Sequence, residues 1–461
     1  MGGRVLRTIL RSIDSRRGFA RRLVWPPLDV RGGRGQFRRG FRGLRGFLQH
    51  TSADHCKEHS RCGGCTPRAR QPGDYQYIKS RGKAIGTWSG FTAITTAVGP
   101  VLGGWLVEHA SWRWVFFINL PLAAAVIAIS LWRIPESRST AKGHVDWLGA
   151  LVVTLGLGGL VNGFIESVNM GWGHPLVLAS LIVGCSCLIL FLFVEARVTS
   201  PMVPLTLFVS STFGGTNLLT LFLYAAIGIF FFLFPLNLIQ VQGYSATATG
   251  AAVLPLILQI FFLSRWSGGL VTRYGARLPL IIGPLVAALG FVLFAVPSVG
   301  GSYWKAFFPA VAGLGFGMAI TVAPLTTVVM NSVGQDRVGA ASGINNAIAR
   351  VAGVLAIAVL GIVMVNAFSS RLNHSLVHLL LPPGVLEAVH SDEIKLAGLP
   401  IPASLSPITR ATIKESIAEA FVFGFRMVML ICTGLSIASS AVAWLMVPKG
   451  TLDPSLSRLR G

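Results

Sequence analysis

The sequence predicts an all-α polytopic membrane protein with about ten spanning helices. Three observations lead there. Hydrophobic residues make up 52% of the chain and charged residues only 12%, roughly half the charge of a soluble domain. The apolar residues collect in runs of about 20, the length that crosses a hydrocarbon core. Those runs lack the period-two alternation of barrel strands, and only helices or closed barrels satisfy backbone polar groups in lipid.

The first run, 84–107, carries no charge. The next three cover 114–132, 147–165 and 175–194. The fifth to eighth cover 213–238, 246–264, 278–296 and 306–330. The ninth, 339–365, contains Arg350, and the tenth, 421–447, contains Arg426. Pro100, Pro121, Pro235, Pro255 and Pro324 fall inside runs, where spanning helices tolerate proline.

Basic residues set the expected orientation. Arg81 and Lys83 precede the first run; Arg133, Arg138 and Lys142 separate the second and third; Arg197 follows the fourth. Arg265, Arg273 and Arg277 separate the sixth and seventh, Arg337 the eighth and ninth, and Lys449, Arg458 and Arg460 follow the tenth. All fall on one side, whereas the opposite short loops hold only Arg113 and Lys305. Both termini are therefore expected in the cytoplasm, with a long segment, 367–420, outside. Its end, 408–419, reads as a short amphipathic surface helix.

Residues 1–76 hold 17 Lys plus Arg against 5 Asp plus Glu, so +12 of the net +22 sits there. One reading of this Arg/Gly-rich leader is a tail that touches anionic headgroups. A second is a metal site at His55, Cys56, His59, Cys62 and Cys65, though one CxxC without a second pair is a weak zinc signal. A third is disorder. A fourth is that the leader is out-of-frame or mis-started translation joined to a transporter near residue 77. The basic balance raises nucleic acid as a partner, but nothing in the helices supports it. No secretory signal precedes residue 84. Cys185, Cys187 and Cys432 lie in apolar runs and read as small core residues.

The first run carries the most specific pattern. Gly86 and Gly90 lie one turn apart, as do Gly99 and Gly103. Small residues at that spacing let a second backbone approach closely, and Pro100 removes a donor and bends the helix. Ordinary close packing explains a lone pair of glycines equally well. The fuller string, Gly90 followed by Gly99-Pro100 and then Gly103-Gly104, resembles the antiporter motif on the fifth helix of the major facilitator superfamily. Arg81-Gly82-Lys83-Ala84-Ile85-Gly86 is similar to the approach to that helix. Ser111-Trp112-Arg113-Trp114-Val115-Phe116-Phe117-Ile118-Asn119-Leu120-Pro121 is similar to the signature that follows it. Val145-Asp146-Trp147-Leu148-Gly149 resembles the start of the linker helices that mark the fourteen-helix drug:proton antiporter branch. Pro201-Met202-Val203-Pro204-Leu205 resembles the approach to the second six-helix bundle. The resemblance covers roughly residues 80–448.

The implied layout is a leader over 1–83, two helices of the first bundle over 84–134 and two linker helices over 135–200. The second bundle follows over 201–448 with its external loop 367–420, then a cytoplasmic tail over 449–461. The resemblance implies alternating access in a bacterial inner membrane, with efflux of amphipathic compounds in exchange for protons. It also implies four further helices ahead of residue 84, which would carry much of the proton-coupling machinery. The chain as written is therefore expected to be inactive or severely impaired. A non-transporting scaffold or partner subunit is the alternative.

Several residues are candidates for function. Gly269, Arg273, Gly275 and Arg277 resemble the second-bundle copy of the superfamily's cytoplasmic loop motif, with Thr272 at the usual acidic position. The implied role is gating by docking on helix ends; a basic inside loop explains the arginines alone. Arg350 at mid-helix costs about 2.5–3.5 kcal/mol to insert, so it faces either a polar cavity, helped by Asn345 and Asn346, or snorkels to headgroups. Asn217 and Gln259 are candidate substrate contacts, with interhelical hydrogen bonding as the competing explanation. Glu166, near the outer end of the third run, is a weak proton carrier. No Walker loop, HExxH or GxSxG is present, so neither enzyme chemistry, metal nor cofactor is expected. The expected partners are the bilayer, a small molecule and protons, with a further periplasmic or membrane protein left open.

Overall fold

The computed structural model describes Thr96 and residues 98–133, 146–198, 201–334, 337–377, 393–401 and 405–449. The helices are α1 (98–109), α2 (Trp114–Arg133), α3 (Trp147–Met170), α4 (Pro175–Arg197) and α5 (Ser211–Leu236). They continue with α6 (Ala246–Ser267), α7 (Arg277–Phe294), α8 (Phe308–Asn331), α9 (Val338–Leu376) and α10 (Pro407–Met446). Among the described residues, α2 to α10 are each long and apolar enough to cross a membrane. They match the runs expected from residue 114 onward. The first run is described only in part, so Gly86 and Gly90 lie outside the described residues, as does the leader with its candidate metal ligands.

Local chemistry starts these helices where the apolar runs begin. Asp146 Oδ1 accepts from the Gly149 N–H at 2.8 Å ahead of α3, and Ser245 Oγ from the Ala248 N–H at 3.2 Å ahead of α6. Ser406 Oγ accepts from the Thr409 N–H at 3.1 Å ahead of α10. Each satisfies a donor that has no partner within its helix. Pro235 lies inside α5, which widens into a π turn over Asn237–Val241. Within α6 the helix breaks at Val253, next to Pro255, whose missing N–H cannot continue the ladder.

Helices α5 to α10 pack as one bundle. α5 lies against α9 and α10, α7 against α8 and α10, and α6 against α8. A fully buried aromatic cluster joins α5 to α7 and to the start of α8: ring centroids are 4.9 Å apart for Phe230–Phe294, 5.2 Å for Phe234–Phe294 and 5.8 Å for Phe234–Phe307. Lipid tails are as apolar as these rings, so close packing rather than water exclusion stabilises the contact. Glycine allows it elsewhere: Gly228 of α5 abuts the Gly353 backbone of α9, and Gly317 of α8 abuts Ala287 and Gly283 of α7.

α3 and α4 form a hairpin against α9. Gly159 and Gly184 face each other across it, and Asn162 Nδ2 donates to Ser180 Oγ at 3.1 Å. α2 differs from all of these, since none of its residues is buried.

The segment over 367–420 departs from expectation. α9 continues to Leu376 and α10 begins at Pro407, so the connection spans 377–406. The expected surface helix over 408–419 is instead the first turns of α10, with Ile413 and Ile417 buried. Hydropathy ends each span where polar residues begin, but no proline or glycine breaks the helix there. Within the connection, the turn Glu393–Gly398 packs against α9, α10 and Asn237–Val241, with Leu396 and Leu399 buried.

Candidate functional site

The helix with the glycine motif meets the start of α6. A Cβ on Gly104 would collide with the Ala246 carbonyl and lie 3.1 Å from Thr247 Cα; a Cβ on Gly250 would collide with the Pro100 carbonyl. Pro100 and Gly104, one turn apart, therefore interlock with Ala246 and Gly250, also one turn apart. Gly99 and Gly103 have nothing within 4 Å of a built Cβ, so the motif's contact runs through its other face. One turn beyond Gly104, Glu108 Oε2 accepts from the Thr247 N–H at 3.0 Å and from its hydroxyl at 2.5 Å. The Thr247 hydroxyl and then its N–H hold the Glu108 carboxyl below its ordinary range.

The loop between α6 and α7 folds into a short helix, Leu270–Tyr274, ended by Gly275 at φ 79°, ψ 172°. That region of backbone space is essentially closed to side chains. Gly275→Ala is expected to cost about 1–3 kcal/mol, read as a lower melting temperature of the purified protein. The turn lets α7 begin at Arg277, whose Nη2 donates to the Trp444 carbonyl near the end of α10. The guanidinium also lies 5.6 Å from the centroid of the Trp444 ring. A cation on these last carbonyls is favourable. Arg273 instead lies over the Tyr274 ring at 5.3 Å, and a Cβ on Gly269 would come 3.2 Å from the Trp266 carbonyl.

The polar candidates divide into two groups. Asn345 Nδ2 of α9 donates to Asn217 Oδ1 at 3.1 Å and to Thr220 Oγ1 at 2.7 Å, both on α5. Asn217 is buried, and its Nδ2 donates to the Phe213 carbonyl at 2.9 Å. Asn217 therefore ties α5 to α9. Asn345→Leu is expected to cost about 1–2 kcal/mol, because it leaves Asn217 Oδ1 without its partner. A melt of the variant beside Asn346→Leu checks it, the latter being near neutral. Asn346 is exposed and donates to the Ser342 carbonyl at 2.9 Å, and Arg350 is exposed. The amides of Asn345 and Asn346 thus reach other partners than Arg350. Gln259 lies half-buried between α6 and α8, with Oε1 3.1 Å from a Cβ built on Gly315.

Arg426, inside the tenth run, caps another helix. Its Nη2 donates to the carbonyls of Val296 at 3.1 Å and Pro297 at 2.9 Å, just past the end of α7. Glu166 accepts from Asn169 Nδ2 at 3.2 Å on its own helix.

The sequence profile of the Major Facilitator Superfamily matches residues 77–357, from the segment before α1 into α9. The chain belongs to the Major Facilitator Superfamily. It is similar to multidrug resistance protein Stp of Mycobacterium tuberculosis, 30% identical over 382 residues covering 80% of this chain and 70% of that protein. It is also similar to the tetracenomycin C resistance and export protein of Streptomyces glaucescens, 30% identical over 370 residues covering 78% and 67%. The multidrug transporter protein MdtP of Bacillus subtilis is 25% identical over 377 residues, covering 76% and 69%. This major facilitator chain is accordingly a membrane transporter and not an enzyme.

Sequence reasoning missed three parts of the site. Glu108 is the first charge after the first run, and Thr247 sits two residues after the Ser245 cap. Gly250 lies in a small-residue string, Ala246 to Ala252, unlike the Leu/Phe-rich stretch that follows it. Composition marks that string as a close-approach surface, but only the fold supplies α1 as its partner.

Proposed function

We propose that this transporter exports amphipathic organic compounds in exchange for protons, by alternating access across a bacterial inner membrane with both termini in the cytoplasm. The observation that carries the reading is the close backbone contact of α1 with α6. It joins the helix bearing the antiporter-like motif to the bundle α5–α10 through glycine, proline and small residues. Such a surface is cheap to slide or part, because few side chains interdigitate across it. α1 and α2 would belong to the first bundle, α3 and α4 to the linker, and the Arg277–Trp444 contact would fasten the gating loop to the moving bundle. Asn346, Arg350 and Gln259 would contribute to the wall of a substrate path near the midplane, where sites of these folds lie. The names of the M. tuberculosis, S. glaucescens and B. subtilis relatives support the substrate class.

Binding tests the substrate class without requiring turnover. The purified full chain is expected to bind ethidium saturably, with displacement by a second amphipathic compound. Non-saturable uptake equal to that of protein-free micelles would overturn the reading. Everted vesicles then test the coupling: dye accumulation that a protonophore abolishes supports exchange for protons, and accumulation that a protonophore leaves unchanged would overturn it.

A further inference from the structure

We propose that Glu108 and Thr247 form a latch that biases the transporter toward the state closed on its outer side. The inference rests on the transporter reading above, which supplies the meaning of outer, and extends it to a device that sets the gate. Pro100, Gly104 and Glu108 recur every fourth residue, so they share one face of α1. The first two bring the α1 backbone against α6, and the third closes the end of the contact. Glu108 takes both donors of Thr247, the N–H and the hydroxyl. Bonds to a carboxylate are stronger than neutral ones, and this N–H is among those a helix start leaves without an intrahelical partner. Glu108 is also exposed. Parting the two ends therefore hands carboxylate, hydroxyl and N–H to water without stranding a buried charge. A contact of that kind tilts an equilibrium between two states rather than locking one.

The charges around the latch are few. His109, which stacks on Trp105 with centroids 5.3 Å apart, acts on Glu108 electrostatically. The facing stretch from Ser245 to Ala252 contains no ionisable side chain. Because the bonds from Thr247 lower the Glu108 carboxyl, the latch is formed throughout the neutral range. Its contribution is lost only as the pH falls through that lowered value. The latch is thus a standing bias near neutrality, not a sensor of small pH changes.

Spin labels at Ala110→Cys and Ser298→Cys, with the native cysteines replaced by serine, report the separation of the outer ends in lipid nanodiscs. At pH 7, Glu108→Ala and Thr247→Val are each expected to raise the population at longer separation by about two- to fivefold, the range for exposed polar pairs. The double variant should go no further than Glu108→Ala, which already removes both bonds, whereas Thr247→Val removes the hydroxyl bond and keeps that of the N–H. Acidifying to pH 3 should move the parent toward Glu108→Ala and leave that variant unmoved, and His109→Gln should behave as the parent does. If Glu108→Ala does not fold, Glu108→Gln keeps the shape, loses the charge and is expected to shift the population in the same direction. Unchanged separations in the Glu108 and Thr247 variants, or additive shifts in the double variant, would overturn the latch. Dye binding by the parent is scored separately: shifted separations in a parent that binds no dye saturably keep the latch and remove the substrate reading.

Discussion

Gly317→Val is expected to destabilise the protein by about 3 kcal/mol, the upper range for forcing volume into a packed core. A Cβ at Gly317 would collide with the Ala287 N and lie 2.8 Å from both Ala287 Cα and the Gly283 carbonyl. These are backbone atoms of α7, which cannot rotate away as a side chain can. α7 is also fixed from its other side by α10. The change would have to spread α7 from α8 over several turns, disturbing the neighbouring contact of Gly290 with Leu314. Gly434→Val, where nothing lies within 4 Å of a built Cβ, is the matched control and should be nearly neutral. Cys185 is exposed and Cys187 half-buried, whereas Cys432 is fully buried, so with the other five cysteines replaced by serine a thiol-reactive fluorophore on Cys432 reads the unfolding. Equal melting of the two variants would refute the packing argument.

Arg426→Met is expected to cost about 3 kcal/mol, since two bonds to a charged donor are lost and each contributes on the order of 1.5 kcal/mol. The carbonyls of Val296 and Pro297 would lose a guanidinium partner in a half-buried setting. The methionine keeps the apolar stem, so loss of packing is not the cause. Both bonds come from one nitrogen, Nη2, and Arg426→Lys should recover only part of the loss, because the shorter side chain brings its ammonium short of that position. A melt in which lysine matches arginine would show that charge alone, not geometry, is what α7 requires.

The spans were legible because the apolar runs marked their middles. Their starts are set by caps that the structure shows, at Asp146, Ser245 and Ser406-Pro407. The last of these also predicts the true start of α10, but the polar residues that follow it outweigh the cap in any hydropathy reading. The site was less legible. Asn217 and Arg426 are both polar residues in apolar runs, and nothing local tells a substrate contact from a fastener. What decides is whether another helix offers a partner: Asn345 for Asn217, the end of α7 for Arg426. The glycine motif was visible as a string, but which of its faces meets a neighbour depends on helix rotation. That rotation is set by α6, whose Gly250 lies far along the chain.

The hairpin of α3 and α4 has a consequence for how the protein is made. Its partners are near neighbours in sequence, joined across a short turn at Gly171 to His174. Closing such a loop loses little chain entropy, so the pair is expected to assemble while the rest of the polypeptide is still being synthesised. The contacts of α5 with α10 join residues far apart in the chain, such as Leu219 with Ser439, and must wait for the last helix to emerge. During that interval α5 stands in lipid with Asn217 and Thr220 unmet by α9. A nascent chain stalled before α9 is therefore a natural substrate for membrane chaperones and quality-control proteases, while the completed hairpin upstream is not.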